Sequence, residues 1–167
     1  LVKAIEKQGV NSLRQAIFVL ALVTVTAFVL HFMGRNWWCE CGEWKVWSGE
    51  IESQHNSQHL FDPYTFTHIL HGVGFYALTW LFFGKILDGR WRFVLAIAIE
   101  CAWEVLENTS WVIEKYREST ISLGYYGDSI ANSLADIVSC MVGFGIAMWI
   151  PVWYSVGGFV ALEAILI

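Results

Sequence analysis

Glu100, Glu104 and Glu107 stand in an otherwise apolar run from Phe93 to Val112. At about 100° per residue their helical offsets are about 0°, 40° and −20°, so all three side chains leave a helix on one face. A charged side chain at membrane depth costs several kcal/mol unless it is paired, so this stripe demands partners. The neighbouring segments offer His68 and His71 before it, and Asp128, Asn132 and Asp136 after it, the last three at i, i+4 and i+8. Imidazoles, carboxylates and an amide together make a mixed nitrogen and oxygen ligand set for zinc, or for manganese or magnesium where carboxylates dominate. The ligand set read from the sequence is His68, His71, Glu104, Glu107 and Asp136. Glu100, Asn108, Asp128 and Asn132 complete the cavity, with His59 and Asp62 at its rim. The competing reading is structural, since intramembrane polar groups also hydrogen-bond between helices at about 0.6–2 kcal/mol each. That role suits any one of these residues taken singly; ionisable groups gathered in one place fit a functional cavity better.

The elements that must position these groups are membrane helices. A composition 56% hydrophobic and 16% aromatic, with two prolines, is that of a polytopic membrane protein. The expected fold is all-α, a bundle of four to five transmembrane helices in a single integral membrane domain over residues 1–167. Spans are predicted at 16–33, 65–83, 93–112, 129–150 and 152–167, each near the length needed to cross a core of roughly 30 Å. The last is short, starts after Pro151 and contains Glu163. The first is too long for the apolar core of a secretory signal, and Gly34-Arg35-Asn36-Trp37-Trp38 after it offers no small-x-small cleavage site. Because the chain opens on Leu1 rather than Met, residues upstream are expected.

Charge distribution sets the orientation. Lys3, Lys7 and Arg14 precede span one and Lys85, Arg90 and Arg92 join spans two and three, whereas the other side carries Arg35, Lys45, Lys115 and Arg117. The N-terminus is therefore expected in the cytoplasm and the loop 34–63 outside, in a bacterial inner membrane. Span two then enters from outside with His68 and His71 in its first turns. Span three runs outward with Glu104, Glu107 and Asn108 in its outer half, and span four places Asn132 and Asp136 about 5 and 11 Å deep. All of these share the outer leaflet, which predicts one cavity open to the outside. Glycine and small residues such as Gly72 and Gly143 are expected where helices approach closely.

The outer loop holds a second set. Cys39-Glu40-Cys41-Gly42 precedes His55 and His59, in the order of a zinc knuckle, with a gap between the cysteines one residue tighter than usual. A disulfide between Cys39 and Cys41 is the alternative in an oxidising compartment. Trp37, Trp38, Trp44 and Trp47 in the same stretch suit a membrane interface.

A net charge of −5 without a basic cluster excludes nucleic acid as a partner, leaving membrane lipid and other membrane-protein subunits. No G-x-S-x-G motif is present, so a metal or a carboxylate must carry any catalysis. One reading is metal-assisted hydrolysis or transfer on a lipid or envelope precursor. Glu104 or Glu107 would act as general base there, and Arg117 would receive an anionic head group. A proton relay or transporter with Glu100 as its deep station is a second reading, and a non-catalytic accessory subunit of a larger membrane complex a third.

Several of these stretches carry a resemblance: Ser57-Gln58-His59-Leu60, Thr67-His68-Ile69-Leu70-His71-Gly72, Trp103-Glu104-Val105-Leu106-Glu107-Asn108, Tyr116-Arg117, and Tyr125-Tyr126-Gly127-Asp128-Ser129 with Asn132 and Asp136. Together they resemble an uncharacterised proteobacterial inner-membrane family (uncharacterised protein family 0314, domain of unknown function 2585). That resemblance implies a membrane location and no activity. A second one, to VanZ-like membrane proteins, rests on a histidine on one helix, Glu104 on the next, Arg117 in the following loop, and Asp128 with Asn132 opening the last. It implies a role in the cell envelope; Glu107 and the Cys39 loop depart from its pattern.

Overall fold

The structure, a computed structural model, describes residues 2–50, 52–120, 124–151, 153–158 and 160. Their regular structure is helical, with no strand among the described residues beyond a single bridge between Trp47 and Phe61. The named helices are α1 (Val2–Phe32), α2 (Thr65–Phe83), α3 (Gly89–Glu107), α4 (Ser110–Ser119) and α5 (Ile130–Trp149). Three segments are long and apolar enough to cross a membrane: Ser12–Phe32, Thr65–Phe83 and Ile130–Trp149. α3 matches them in length at 19 residues but carries Arg90, Arg92 and the three glutamates. Of the expected fifth span, residues 152, 159 and 161–167 lie outside the described residues.

Helix boundaries follow local chemistry. α1 ends where Gly34 takes φ +82. There the Gly34 amide donates to the His31 carbonyl and the Arg35 amide to the Leu30 carbonyl, a left-handed stop that satisfies the last carbonyls. The Asp62 carboxylate accepts the Tyr64 amide at 2.7 Å just before α2, and Pro63 presets the first turn. Asp88 caps α3 by accepting the Arg90 and Trp91 amides.

One boundary departs from the sequence expectation. The apolar run predicted as a single span over 93–112 breaks after Glu107, and the chain turns through Asn108 and Thr109 into α4. Asn and Thr favour caps over helix interiors, because their side chains can bond the backbone locally. Here Thr109 Oγ1 accepts the Val112 amide. α4 is polar and amphipathic, so residues 110–119 lie over the bundle instead of extending a span.

α5 inverts the usual polarity of a helix. Val138, Val142 and Ile146, at i, i+4 and i+8, are about half exposed, whereas Asn132, Ser133, Asp136 and Ser139 are buried. An apolar outer face around a polar interior is stable in lipid and costly in water. Ile97 and Cys101 of α3 pack on Ile137 and Cys140 of α5, with Leu22, Val23 and Phe75 around them. α2 and α5 touch backbone to backbone. A Cβ on Gly72 would fall 2.0 Å from the Cys140 carbonyl oxygen, and one on Gly143 would fall 1.9 Å from that of Ile69.

Candidate functional site

Three helix ends meet on one side of the bundle: the start of α2, the last turns of α3 and the start of α5. His68 is their common point. Its Nδ1 lies 2.7 Å from Glu100 Oε1 and 3.4 Å from Glu104 Oε1, and its Nε2 lies 3.8 Å from Asp136 Oδ2. His71, one turn on, places Nδ1 3.1 Å from Glu100 Oε2. Glu100 is thus held by both imidazoles. Glu104 is not, because a single Nδ1–H bonds the nearer Glu100, and neither Glu104 oxygen has a hydrogen-bond partner although the side chain is fully buried. Glu107 Oε2, Asp136 Oδ1 and Asn132 Oδ1 are also buried without partners. Ligand atoms of His68, Glu104 and Glu107 fall within 4.8 Å of one another, as do those of His68, His71 and Glu100. His71 therefore joins Glu100, and it is His68 that joins Glu104 and Glu107.

Asn108 and Asp128 form the adjoining wall. Asn108 Nδ2 donates to Asp128 Oδ2 at 3.0 Å, while the Asp128 amide donates to Asn108 Oδ1 at 2.8 Å. Tyr125 Oη donates to the other Asp128 oxygen at 2.9 Å. Burial pushes the Asp128 carboxyl up, opposed by its bonds to Tyr125 and Asn108. Asp62 is likewise pushed up by burial, against its backbone bond from Tyr64. Asn132 Nδ2 reaches Asp62 Oδ2 at 3.4 Å, which ties the rim to α5.

A cavity of about 40 Å³ lies among His68, Glu107, Asp128 and Asp136, closed above by Asn56, Ser57 and the tyrosines Tyr64, Tyr116 and Tyr125. Such a volume holds an ion or a water or two, not a substrate. The hydroxyls of Tyr64 and Tyr116 bond directly across its mouth. Far from this cluster, an apolar cavity of about 800 Å³ opens between α1, the start of α3 and the end of α5, near Val19, Phe93 and Met148.

The roof is made by residues that periodicity does not single out. Gln58, almost fully buried, donates to the Gly127 carbonyl at 2.6 Å. The Ser129 amide donates to the Ser57 carbonyl, and the first amides of α5 donate to the carbonyls of Asn36 and Trp37. Arg35 and Arg117 donate to the neighbouring carbonyls of Tyr126 and Tyr125. Arg117 accordingly clamps the 125–128 turn and has no carboxylate partner among the described residues. Only chance adjacency in sequence, Ser57-Gln58 beside His59 and Tyr125-Tyr126 beside Asp128, hinted at these roles.

His59 lies outside the carboxylate cluster. It is fully buried in the loop, stacked on His55 with ring centres 5.5 Å apart, beside Cys39 and Cys41, whose sulfurs the structure joins as a disulfide.

Sequence comparison then locates the chain. The family model described as a protein of unknown function, DUF2585, matches residues 30–167. A UPF0314 protein of Rhizobium meliloti (strain 1021) is 48% identical over 156 residues, spanning 90% of this chain and 77% of its own. A UPF0314 protein of Paracoccus denitrificans (strain Pd 1222) is 44% identical over 144 residues, spanning 86% and 74%. One from Novosphingobium aromaticivorans is 42% identical over 159 residues, spanning 90% and 79%. The chain belongs to this family. No solved structure matches it.

Proposed function

We propose that this DUF2585 family member is a multi-pass inner-membrane protein, N-terminus in the cytoplasm, whose carboxylate and histidine cluster binds a divalent metal and hydrolyses or transfers a group on a lipid or envelope substrate. The observation that carries the reading is the surplus of buried acid: Glu104, Glu107 and Asp136 each keep carboxylate oxygens without partners around two imidazoles already committed to Glu100. An unpaired buried carboxylate is among the costliest groups in a protein, and a divalent cation removes that cost for several at once. His68, Glu104 and Glu107 would hold the ion, with Glu100 fixing the His68 ring through Nδ1. A bound divalent metal supplies a water acidic enough to attack near neutral pH. Asp136, beside these ligands with one oxygen unpartnered, would be the general base. Substrate would enter only where the Tyr64 and Tyr116 pair parts, with Arg117 at the 125–128 turn to receive an anionic head group.

Elemental analysis of protein purified in mild detergent, beside Glu104→Gln, tests the reading. A stoichiometric divalent metal in the wild type, lost in the variant, supports it, as does a melting temperature that falls with a chelator. A chelator that moves nothing, together with a Glu104→Gln variant as stable as the wild type or more so, replaces it with a cluster of shared protons, the relay reading.

A further inference from the structure

The structure assigns a second metal site: Cys39, Cys41, His55 and His59 form a tetrahedral zinc centre in the reduced protein, one that staples together the two halves of the loop roofing the carboxylate cluster. The four ligand atoms lie within 4.8 Å of one another. Cys39 Sγ is 3.6 Å from His55 Nδ1, and His59 Nε2 is 3.4 Å from the same nitrogen. With zinc bonds of about 2.3 Å to sulfur and 2.0–2.1 Å to nitrogen, neighbouring ligands of a tetrahedron stand about 3.6 Å apart for sulfur and nitrogen and about 3.4 Å for two nitrogens. Both edges match.

The surroundings suit thiolates. The Cys41 amide points at Cys39 Sγ and the Glu43 amide at Cys41 Sγ, each at 3.4 Å, and Gly42 turns the chain at φ +72. Backbone N–H groups aimed at sulfur stabilise its negative charge. His59 is fully buried, its Nδ1 has no partner, and its Nε2 faces only this group, so nothing else offsets the burial of the ring.

Zinc ligation and a Cys39–Cys41 disulfide are exclusive states of the same two sulfurs. A disulfide across a single residue restrains little beyond residues 39–41, because the loop it closes is so short. Zinc ties residues 39–41 to 55–59. The first strip follows Asn36 and Trp37, whose carbonyls take the α5 amides, and the second contains Ser57, whose carbonyl takes the Ser129 amide. The centre would therefore hold both strips against the start of α5.

Full-length protein in detergent, reduced with a phosphine and dialysed against zinc, should bind about one equivalent at this site. Cobalt in place of zinc should give thiolate-to-metal charge-transfer absorption, which the oxygen-rich carboxylate cluster cannot produce. Glu104→Gln should leave that absorption unchanged. Cys39→Ser with Cys41→Ser should abolish it, whereas His55→Cys should keep the metal and strengthen the band. Absence of the band in reduced wild-type protein overturns the assignment, whether or not the variants fold. So does zinc retained at the wild-type level by the double serine variant when Glu104→Gln is also present.

Discussion

Asn108 and Asp128 exchange hydrogen bonds in both directions, side chain to side chain at 3.0 Å and backbone to side chain at 2.8 Å, joining the end of α3 to the turn before α5. Asn108→Leu would strand the Asp128 amide and one of its carboxylate oxygens in a buried place, a loss of about 2–4 kcal/mol. Asn108→Asp would add like charge beside Asp128 and cost at least as much. Thermal unfolding in detergent reads both; a melting temperature unmoved by either means that the exchange is not what secures this turn.

Gly72 offers a second measurement. Gly72→Ala drives a methyl to 2.0 Å from a backbone carbonyl, which no rotamer can relieve. α2 and α5 must separate, at about 1–3 kcal/mol or more, and His68 must leave Asp136. Gly145→Ala meets nothing within 4 Å and should be neutral or slightly stabilising. Equal behaviour of the two variants would contradict the backbone contact.

Single cysteines report the topology. Asn56 is buried beneath the loop, so the accessible positions are Glu50 for the outer loop and Asp88 for the turn before α3, both exposed. Impermeant maleimide added to intact spheroplasts should label Glu50→Cys and spare Asp88→Cys until the membrane is opened. Labelling of both from outside would remove the common-leaflet argument.

His59 sets a pH dependence for the metal-free loop in its disulfide form. Its folded pKa is depressed by burial below the ordinary value of about 6.5, so the folded loop binds fewer protons than the open one. Protection of the 55–61 amides from hydrogen exchange should be complete above about pH 6.5 and decline as pH falls below it. Asp62 acts in the opposite sense: burial raises its folded pKa, and its penalty grows as pH rises through that value. His59→Asn should therefore remove the loss of protection on acidification and leave the Asp62 contribution. If the variant keeps the wild-type profile, His59 is not the group that titrates.

Much of this was legible in the residues because apolar length and polar spacing act locally. α2 coincides with its expected span, α5 agrees to within a residue at each end, and the glutamate stripe shares a face by helix geometry alone. The polar run Glu107-Asn108-Thr109-Ser110 is a local stop signal that a span drawn to Val112 passes over, while the bond that secures the Asn108 cap comes from Asp128, twenty residues away. The pairing of His71 with Glu100 instead of Glu104 was likewise beyond reach. Depth along two antiparallel helices depends on their register, which only the packing of α2 against α3 sets. Gln58 and the tyrosines carry no periodicity, so nothing in the sequence announced a closed mouth.

The contacts at Gly72 and Gly143 also divide the bundle. With no side chain between their backbones, α2 and α5 behave as one solid piece that carries His68, His71, Asn132 and Asp136, while α3 brings Glu100, Glu104 and Glu107 from outside it. The contacts of Glu100 and Glu104 with the two histidines therefore join α3 to that pair, and any ligand that binds across them does work on the position of α3. Occupancy at one end becomes a force along the whole helix, delivered as far as Asp88 and the turn at its other end.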